Sequence, residues 1–409
     1  AYLEDNVIVS KVKGLARLIN QGVDATVIIV SSILVIPREL EKYITILEMD
    51  YLEIDEIEEI IKRFIKDNEL QVSNAHSIIE EFAAALKGLT EFEIQNLLAL
   101  SYADDGELSK RNLKLIFDQK QQMIKKAGIL EMIPLKESIE DIGGLENLKD
   151  WFLKKAKVFK NMGRARKFGV DMPKGVLIAG IPGCGKSLSA KAAAKLFEVP
   201  LLRLDMGRLM GKYVGESEGN LRNAIALAEA ISPCVLWIDE LEKAFAGIGG
   251  SGGGAEVTTR LFGNFLTWMQ EKRSAAFVVA TANDIMKIPP EMLRKGRFDE
   301  IFYVGLPNER EREKIFEIHI KKRRQQDLKQ INIHELVKRS SGFSGADIEG
   351  VVKDAIESAF ANDKETVQTG DILEAIENTN SLSEIMKDDL KKMNAEYEAR
   401  KFKNASWKG

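Results

Sequence analysis

Cysteine and histidine are scarce in this 409-residue sequence, and their scarcity excludes several classes of protein. The two cysteines, Cys184 and Cys234, cannot supply the disulfide framework of a small secreted domain, so we expect the chain to work in a reducing compartment. The three histidines are far apart and no HExxH pattern is present, which argues against a histidine-based zinc site or a built-in metalloprotease.

Long apolar runs and a large excess of one charge are also missing. The most apolar stretch, residues 27–36, has about ten residues, which is too short to cross a bilayer. Residues 1–6 lack the basic region of a signal peptide. The net charge of −4 argues against a chain whose main task is to coat nucleic acid or an anionic membrane. We therefore expect a soluble intracellular protein with no membrane partner.

The middle third of the sequence alternates short apolar runs with helical patterns. This alternation is typical of a doubly wound, mostly parallel sheet in an α/β domain, which we place at residues 131–306. After Pro307 the pattern becomes helical and predicts a small α-helical lid over 307–380, followed by a charged helical tail, solvated or docking, over 381–409. The apolar runs that predict buried strands are residues 176–179, 201–204, 235–238 and 277–280.

Residues 1–130 resemble a weaker copy of the later sequence. Residues 27–40 resemble 277–292, the helical pattern 54–65 corresponds to 309–320, and 88–95 stands where 342–349 stands. The distance from Pro37 to Gly88 (88 − 37 = 51 residues) is close to that from Pro289 to Gly342 (342 − 289 = 53 residues). The similar spacing predicts two copies of one module, with chance similarity between two α/β segments as the alternative.

A glycine-rich loop directly after one predicted strand and before a helix matches the pattern G-x-x-x-x-G-K-[ST]. Such a loop aims backbone N–H groups at phosphates, helped by the N-terminus of the following helix. Its lysine would contact the β- and γ-phosphates, and its hydroxyl would bind Mg²⁺. A mere turn is the alternative, which the strand–loop–helix context disfavours. The loop consists of Gly180, Ile181, Pro182, Gly183, Cys184, Gly185, Lys186 and Ser187.

Another predicted strand, 235–238, ends in two adjacent carboxylates, Asp239 and Glu240. In this arrangement the aspartate would hold the magnesium water shell, and the glutamate would orient or deprotonate the attacking water. Acid pairs at strand ends are common, so the interpretation depends on the glycine-rich loop, whose Ser187 precedes Asp239 by 52 residues (239 − 187).

Two further places supply polar side chains. Asn283 follows the run 277–280, where its amide would hydrogen-bond the water or the γ-phosphate; a turn-forming Asn-Asp pair is the alternative. Arg294 and Arg297 lie in a glycine-containing loop. They are either surface charges or fingers that reach the γ-phosphate of another subunit, where guanidinium groups would stabilise the transferring charge.

Together with Gly342-Phe-Ser-Gly-Ala-Asp-Ile348, these motifs resemble those of AAA-family ATPases over residues 138–380. Residues 259–272 and the weak first copy most resemble the chloroplast-reading-frame type of cyanobacteria and plastids. The resemblance implies a P-loop NTPase that uses ATP and Mg²⁺, with a catalytic Lys186 and Glu240 and with Asn283 as the sensor. It implies that Arg294 and Arg297 act in trans, that Ser187 and Asp239 are the metal ligands, and that the nucleotide is also contacted by Asp141, Ile142, Gly143, Gly345 and Ala346.

The same comparison predicts that the first copy binds no nucleotide. Ile33 stands where Asn283 stands, and the segment that would carry the arginines is shortened. Glu91-Phe92 replaces Gly345-Ala346, which would crowd an adenine. Residues 1–130 are therefore expected to form a degenerate AAA-like half-module that serves packing or partner binding.

The resemblance further implies a homo-oligomeric ring, of six subunits by analogy, in the cytoplasm or plastid stroma. Lys212 and Tyr213 resemble a pore loop that grips a protein chain, although Tyr213 packed in an ordinary loop is an alternative. We expect a Mg-ATP-dependent motor that remodels or threads protein. A nucleic-acid-linked ATPase is one alternative, disfavoured because no basic recognition domain is visible, and a slow nucleotide-dependent scaffold is another.

Overall fold

The computed structural model describes residues 5–30, 36–37, 39–45, 47, 52–70, 75–209, 216–244 and 253–407. The chain divides into two compact units, residues 1–51 and 52–409. None of the described helices has the length and apolar character that crossing a bilayer requires.

The first unit contains helix α1 (Asn6–Asn20), which begins where the Asp5 carboxylate accepts the N–H of Val7 at 2.7 Å. Residues 27–30, which resemble the run 277–280 in sequence, have no regular structure, and Val30 is 93% exposed. A strand needs a neighbour to pair its backbone groups, and the described part of residues 1–51 contains no strand. The likeness of the two segments in sequence is thus not matched by a likeness in structure.

The second unit opens with a helical region that has its own apolar core. Helices α2 and α4 begin with capping boxes, which satisfy the first free backbone N–H groups of each helix. The fully buried side chains of Ile61, Phe82, Leu86 and Leu98 lie at the centre of this core. The helices of this region are α2 (Ile54–Asp67), α3 (Ala75–Leu86), α4 (Glu91–Asp105) and α5 (Leu113–Ala127).

A seven-stranded sheet comes next in the chain, with the strand order β1-β3-β4-β5-β2-β6-β7. Strand β1 pairs antiparallel with β3, and all the other pairs are parallel. The four strands predicted from sequence are all present, and β2, β4 and β5 are buried along their whole length, as expected for strands covered on both faces. The strands are β1 (Leu130–Ile133), β2 (Gly175–Gly180), β3 (Leu201–Leu204), β4 (Cys234–Ile238), β5 (Ala276–Ala282), β6 (Glu300–Val304) and β7 (Lys403–Asn404).

Helices cover both faces of this sheet, so it has one apolar core on each side. On one side the rings of Phe159 and Phe197 stack at 4.8 Å, and Phe277 of β5 meets both of them edge-on. The helices between β1 and β6 are α6 (Glu146–Lys160), α7 (Met162–Lys167), α8 (Lys186–Phe197), α9 (Met206–Leu209), α10 (Glu216–Ile231), α11 (Leu241–Ala244) and α12 (Gly253–Glu271).

A helical lid with a separate core comes after the sheet, as the sequence predicts. The C-terminal segment then returns to the sheet. Its β7 lies parallel beside β6, and Leu390 and Tyr397 are buried in the two cores of the sheet, so this segment docks on the sheet and is not a solvated helix. The lid helices are α13 (Glu309–Arg324), α14 (Ile333–Arg339), α15 (Gly345–Ala361) and α16 (Thr369–Glu377), and the C-terminal helices are α17 (Leu382–Ile385) and α18 (Lys387–Arg400).

Candidate nucleotide site

The glycine-rich loop joins the carboxyl end of β2 to the first turn of α8. Gly183 and Gly185 have φ angles of +73° and +90°, in the left-handed region that favours glycine. A Cβ on Gly180 would lie 2.1 Å from the carbonyl oxygen of Val304. The loop therefore requires its glycines for conformation and close packing, and it leads directly into the N-terminus of α8, the kind of position where anions bind.

Lys186, the first residue of α8, is buried with its ammonium group against the loop. Its Nζ donates hydrogen bonds to the carbonyl oxygens of Gly180 at 2.9 Å and Ile181 at 2.8 Å. Burial lowers the pKa of Lys186 to about 8. A phosphate beside this group would supply the negative charge that favours the ammonium form.

A chain of oxygen atoms links the ends of β2, β4 and β5. The Ser187 hydroxyl donates to Oδ1 of Asp239 at 3.2 Å, and the Thr281 hydroxyl donates to the same oxygen at 2.5 Å. The Thr281 oxygen in turn accepts the backbone N–H of Glu240 at 3.2 Å. Thr281 was not among the predicted site residues, although a hydroxyl within an otherwise apolar strand was a visible signal.

Glu240 stands at the turn after β4 with a φ angle of +50°, a backbone strain of about 1–3 kcal/mol for a residue with a side chain. Its Oε1 accepts the Asn283 amide at 3.4 Å, so the structure brings together the two side chains predicted to act on water. Its Oε2 pairs with Lys243 Nζ at 2.6 Å, and this hydrogen bond raises the pKa of Lys243. Lys243, one turn along α11, was missed because a lysine three residues after the acid pair reads as a solvated charge.

Glu242 is a further carboxylate that the sequence analysis missed. It is 6% exposed, and its Oε1 accepts the backbone N–H of Asn283 at 3.1 Å. Burial raises the pKa of Glu242. Glu242 therefore supports the backbone of the same residue whose side chain contacts Glu240.

The donor set at these strand ends fits Mg²⁺ and a nucleotide phosphate. Mg²⁺ prefers oxygen ligands and takes only one or two from the protein when phosphates and water complete its shell, which the oxygens of Ser187 and Asp239 satisfy. Among the described residues, no group of three or more His, Cys, Asp or Glu side chains is placed to hold a metal by itself.

A small cleft beside the loop contains some of the residues expected to contact the base. Gly143, Cys184 and Gly345 line it, and a Cβ on Gly143 would lie 2.4 Å from Ile315 of the lid, so the lid packs closely here. Burial raises the pKa of the Cys184 thiol to about 11, which keeps it protonated. Leu145, which ends the segment that begins at Asp141, also lines the cleft, and the lining residues that were not predicted are Gly305, Pro307, Glu311 and Ile315.

The other residues predicted to contact the base, Asp141, Ile142 and Ala346, make hydrogen bonds to other residues of the protein. Asp141 caps its own turn, since Oδ2 accepts the Ser138 N–H at 2.7 Å, and this bond lowers its pKa. Ile142 is buried and its carbonyl accepts Lys149 Nζ at 2.6 Å. Ala346 donates its N–H to the Gly183 carbonyl at 2.9 Å, so the start of α15 touches the glycine-rich loop.

The turn that carries Arg297 lies near the opposite end of β2 from the glycine-rich loop. The backbone N–H of Asp299, two residues after Arg297, donates to the Gly175 carbonyl at 2.8 Å, at the amino end of β2. Gly180 and the loop are five residues further along that strand, roughly 16 Å at about 3.3 Å per residue. Arg294 is exposed, and Arg297 is partly buried with no hydrogen-bond partner for its Nε among the described residues. Lys212 and Tyr213 fall outside the described residues.

Three family models match the chain. Residues 176–306 match the ATPase family associated with various cellular activities (AAA), residues 330–374 match the AAA+ lid domain, and residues 55–127 match the second domain of SpoVK-like AAA ATPases. The first two matches fall on the sheet and the lid described above.

Relatives extend over nearly all of the chain. The AAA domain-containing protein ycf46 of Pyropia yezoensis is 38% identical over 99% of this chain and 81% of its own length, and that of Guillardia theta is 42% identical over 92% and 73%. The ATP-dependent zinc metalloprotease FtsH 2 of Bdellovibrio bacteriovorus is 32% identical over 59% of this chain and 40% of its own length. The likeness predicted from the sequence motifs is confirmed, and the chain belongs to the AAA family of ATPases, among the ycf46 proteins.

Proposed function

We propose that the chain hydrolyses ATP with Mg²⁺ and works as a ring-forming motor on a protein substrate. The observation that carries the proposal is the convergence of Ser187, Asp239, Glu240 and Asn283 at the carboxyl ends of three neighbouring parallel strands. Ligands of open α/β sheets bind at these ends, and the four side chains supply a metal site and a water site next to the glycine-rich loop.

Each side chain has one task in this proposal. Ser187 and Asp239 would hold Mg²⁺, which would supply positive charge that favours phosphoryl transfer. Lys186 exchanges its loop carbonyls for phosphate oxygens, because an ammonium gains more from an anion than from neutral acceptors. Glu240 accepts a proton from the attacking water, and the Asn283 amide fixes the orientation of that carboxylate.

The position of Arg297 supports a role in a neighbouring subunit. Asp299, two residues after Arg297, pairs with Gly175 at the amino end of β2, whereas the glycine-rich loop of the same chain follows the carboxyl end of that strand. Lys174 Nζ holds the turn in place through the Gly296 carbonyl at 2.8 Å, and the Asp299 carboxylate accepts Lys155 Nζ at 2.9 Å. An arginine in a turn held at this end of the sheet suits a ring in which each site is completed by the next subunit.

We favour a protein substrate over the two alternatives, a nucleic-acid-linked ATPase and a slow nucleotide-dependent scaffold. The relative FtsH 2 is by name an ATP-dependent protease, so ATP use is linked to protein there. In this chain, Lys212 and Tyr213 would form the pore loop that contacts the substrate. We place the ring in the cytoplasm or plastid stroma, with nucleic acid a disfavoured partner because the chain carries a net charge of −4.

The test is the variant Glu240→Gln, which keeps the size of the side chain and its contact to Asn283 but cannot accept the proton. We expect ATP to bind with nearly unchanged affinity and turnover to fall by about 100-fold or more. Glu357→Gln, at an exposed position on α15, is the matched control and should hydrolyse ATP like the wild type. Normal turnover in Glu240→Gln would refute the catalytic assignment.

A further inference from the structure

The C-terminal helix α18 places a buried tyrosine close to the proposed sensor. Tyr397 is 3% exposed and lies in the same core as Leu241 and Ile285, which flank the acid pair and the sensor in sequence. Its ring stacks on Tyr303 of β6 at 3.9 Å. The hydroxyl of Tyr303 donates to Oδ1 of Asn394 and is therefore satisfied within the C-terminal segment.

Two buried polar atoms on this side of the sheet have no hydrogen-bond partner among the described residues: the Tyr397 hydroxyl and Oε2 of Glu242. A buried polar group without a partner costs about 1–3 kcal/mol, so such atoms are rare and call for an explanation. One is a donor and the other an acceptor. Burial raises the pKa of Tyr397, and the charges of Tyr303 and of two carboxylates, Asp284 and Glu242, raise it further.

Of these two carboxylates, Glu242 is the one available to the hydroxyl. Asp284 already accepts the Met286 N–H at 3.0 Å and pairs with Lys287 at 3.4 Å. Glu242 uses only Oε1, for the Asn283 N–H. A bond at Oε2 would therefore reach the backbone of the sensor residue through a single side chain.

We infer that Glu242 is a positioning residue for the hydrolysis proposed above, and that it forms with Tyr397 a hydrogen-bonded pair, direct or through one water, which ties α18 to the backbone of Asn283. By holding the backbone of Asn283, the pair fixes the position from which the Asn283 amide contacts Glu240. The C-terminal segment is thus a working part of the ATPase site and not only a cover for the sheet.

A double-mutant cycle tests the pair, with Tyr397→Phe and Glu242→Leu as the single changes. Tyr397→Phe should lower kcat by about tenfold, the equivalent of one hydrogen bond, and Glu242→Leu, which also removes the acceptor of the Asn283 N–H, by at least as much, while KM for ATP stays within about twofold in both. The double variant should be no worse than Glu242→Leu, because either change alone already breaks the pair. Glu242→Gln keeps an acceptor for the Asn283 N–H and an amide for the hydroxyl, so it should restore most of kcat. Tyr303→Phe, which removes a hydroxyl satisfied elsewhere, should leave kcat unchanged.

Multiplying losses in the double variant, or a Tyr397→Phe protein with the kcat of the wild type, would overturn the inference. The wild type, both single variants and the double variant should also be unfolded with urea, because non-additive unfolding free energies report the pair without any catalysis. A wild type that hydrolyses no ATP would refute the proposed function, and the unfolding cycle would still decide whether the pair exists.

Discussion

The helices α2–α5 and the lid helices α13–α16 share one local framework and differ at the surface that would meet a nucleotide. In both regions the first and third helices begin with capping boxes, and a glycine in the left-handed region precedes the third helix, Gly88 at φ +86° and Gly342 at φ +79°. The corresponding N-cap residues are Glu53 and Asn308 for the first helix, and Thr90 and Ser344 for the third.

The two regions differ in the first residues of the third helix. In the lid, Gly345 and Ala346 bring the backbone of α15 onto the glycine-rich loop. In the N-terminal region Glu91 and Phe92 occupy these positions, and Phe92 is 72% exposed. Glu311 of the lid is buried and accepts the Leu145 N–H at 3.0 Å. Its counterpart in α2, Glu56, is exposed and caps its own helix by accepting the N–H of Glu53. The N-terminal helical region thus has the same helix caps and turns as the lid, but its described residues do not reproduce the lid's contacts to the glycine-rich loop.

The largest expected effect tests whether only one of the two regions serves a nucleotide site. Lys186→Ala removes the buried ammonium of the glycine-rich loop, so we expect ATP binding to weaken by about 100-fold or more. Calorimetry on the full chain should then show no residual stoichiometric binding. A second site of unchanged affinity in this variant would show that the N-terminal region also binds nucleotide.

A smaller effect on ATP affinity is expected from exchanging residues between the first turns of α15 and α4. Ala346→Phe gives α15 the residue of α4 and places a ring beside Gly183, which lies so close that a Cβ added to Gly183 would be 2.9 Å from the Cβ of Ala346. We expect ATP affinity to fall by about 10- to 100-fold through overpacking. The reciprocal change, Phe92→Ala, alters an exposed side chain and should leave ATP affinity and urea stability unchanged. Equal losses in both variants would contradict the division of roles.

How far the sequence predicts this molecule depends on the kind of signal. The signal of a buried strand is local, so the four apolar runs were visible in the sequence. The contacts of Thr281, Glu242 and Tyr397 depend on which strand ends meet and on where a distant helix docks. The docking of 381–409 was left open because its charged residues hide single buried positions such as Leu390. Residues 27–30 show the converse: this apolar run forms no strand, and the described part of residues 1–51 offers no strand to pair with it.

The smallest expected effect concerns a buried lysine in the N-terminal helical region, α2–α5. Lys120 of α5 is 8% exposed, and burial lowers its pKa to about 8 from 10.5, with Cys234 and Lys87 as its titratable neighbours. Between these pH values the unfolded chain holds a proton that the folded chain has lost, so this group makes stability rise with pH from about 8 to 10.5. Lys120→Met should raise the unfolding free energy at pH 7 by about 1–2 kcal/mol, a value that already allows for the packing lost with the lysine stem. The increase of the unfolding free energy between pH 8 and pH 10.5 should be smaller in this variant than in the wild type.

The lid offers a matched control in Lys338→Met, at an exposed position, which should change neither the unfolding free energy nor its pH dependence. Urea unfolding at pH 7 and pH 9.5 measures both, and an unaltered pH dependence in Lys120→Met would show that the N-terminal helices do not bury this ammonium.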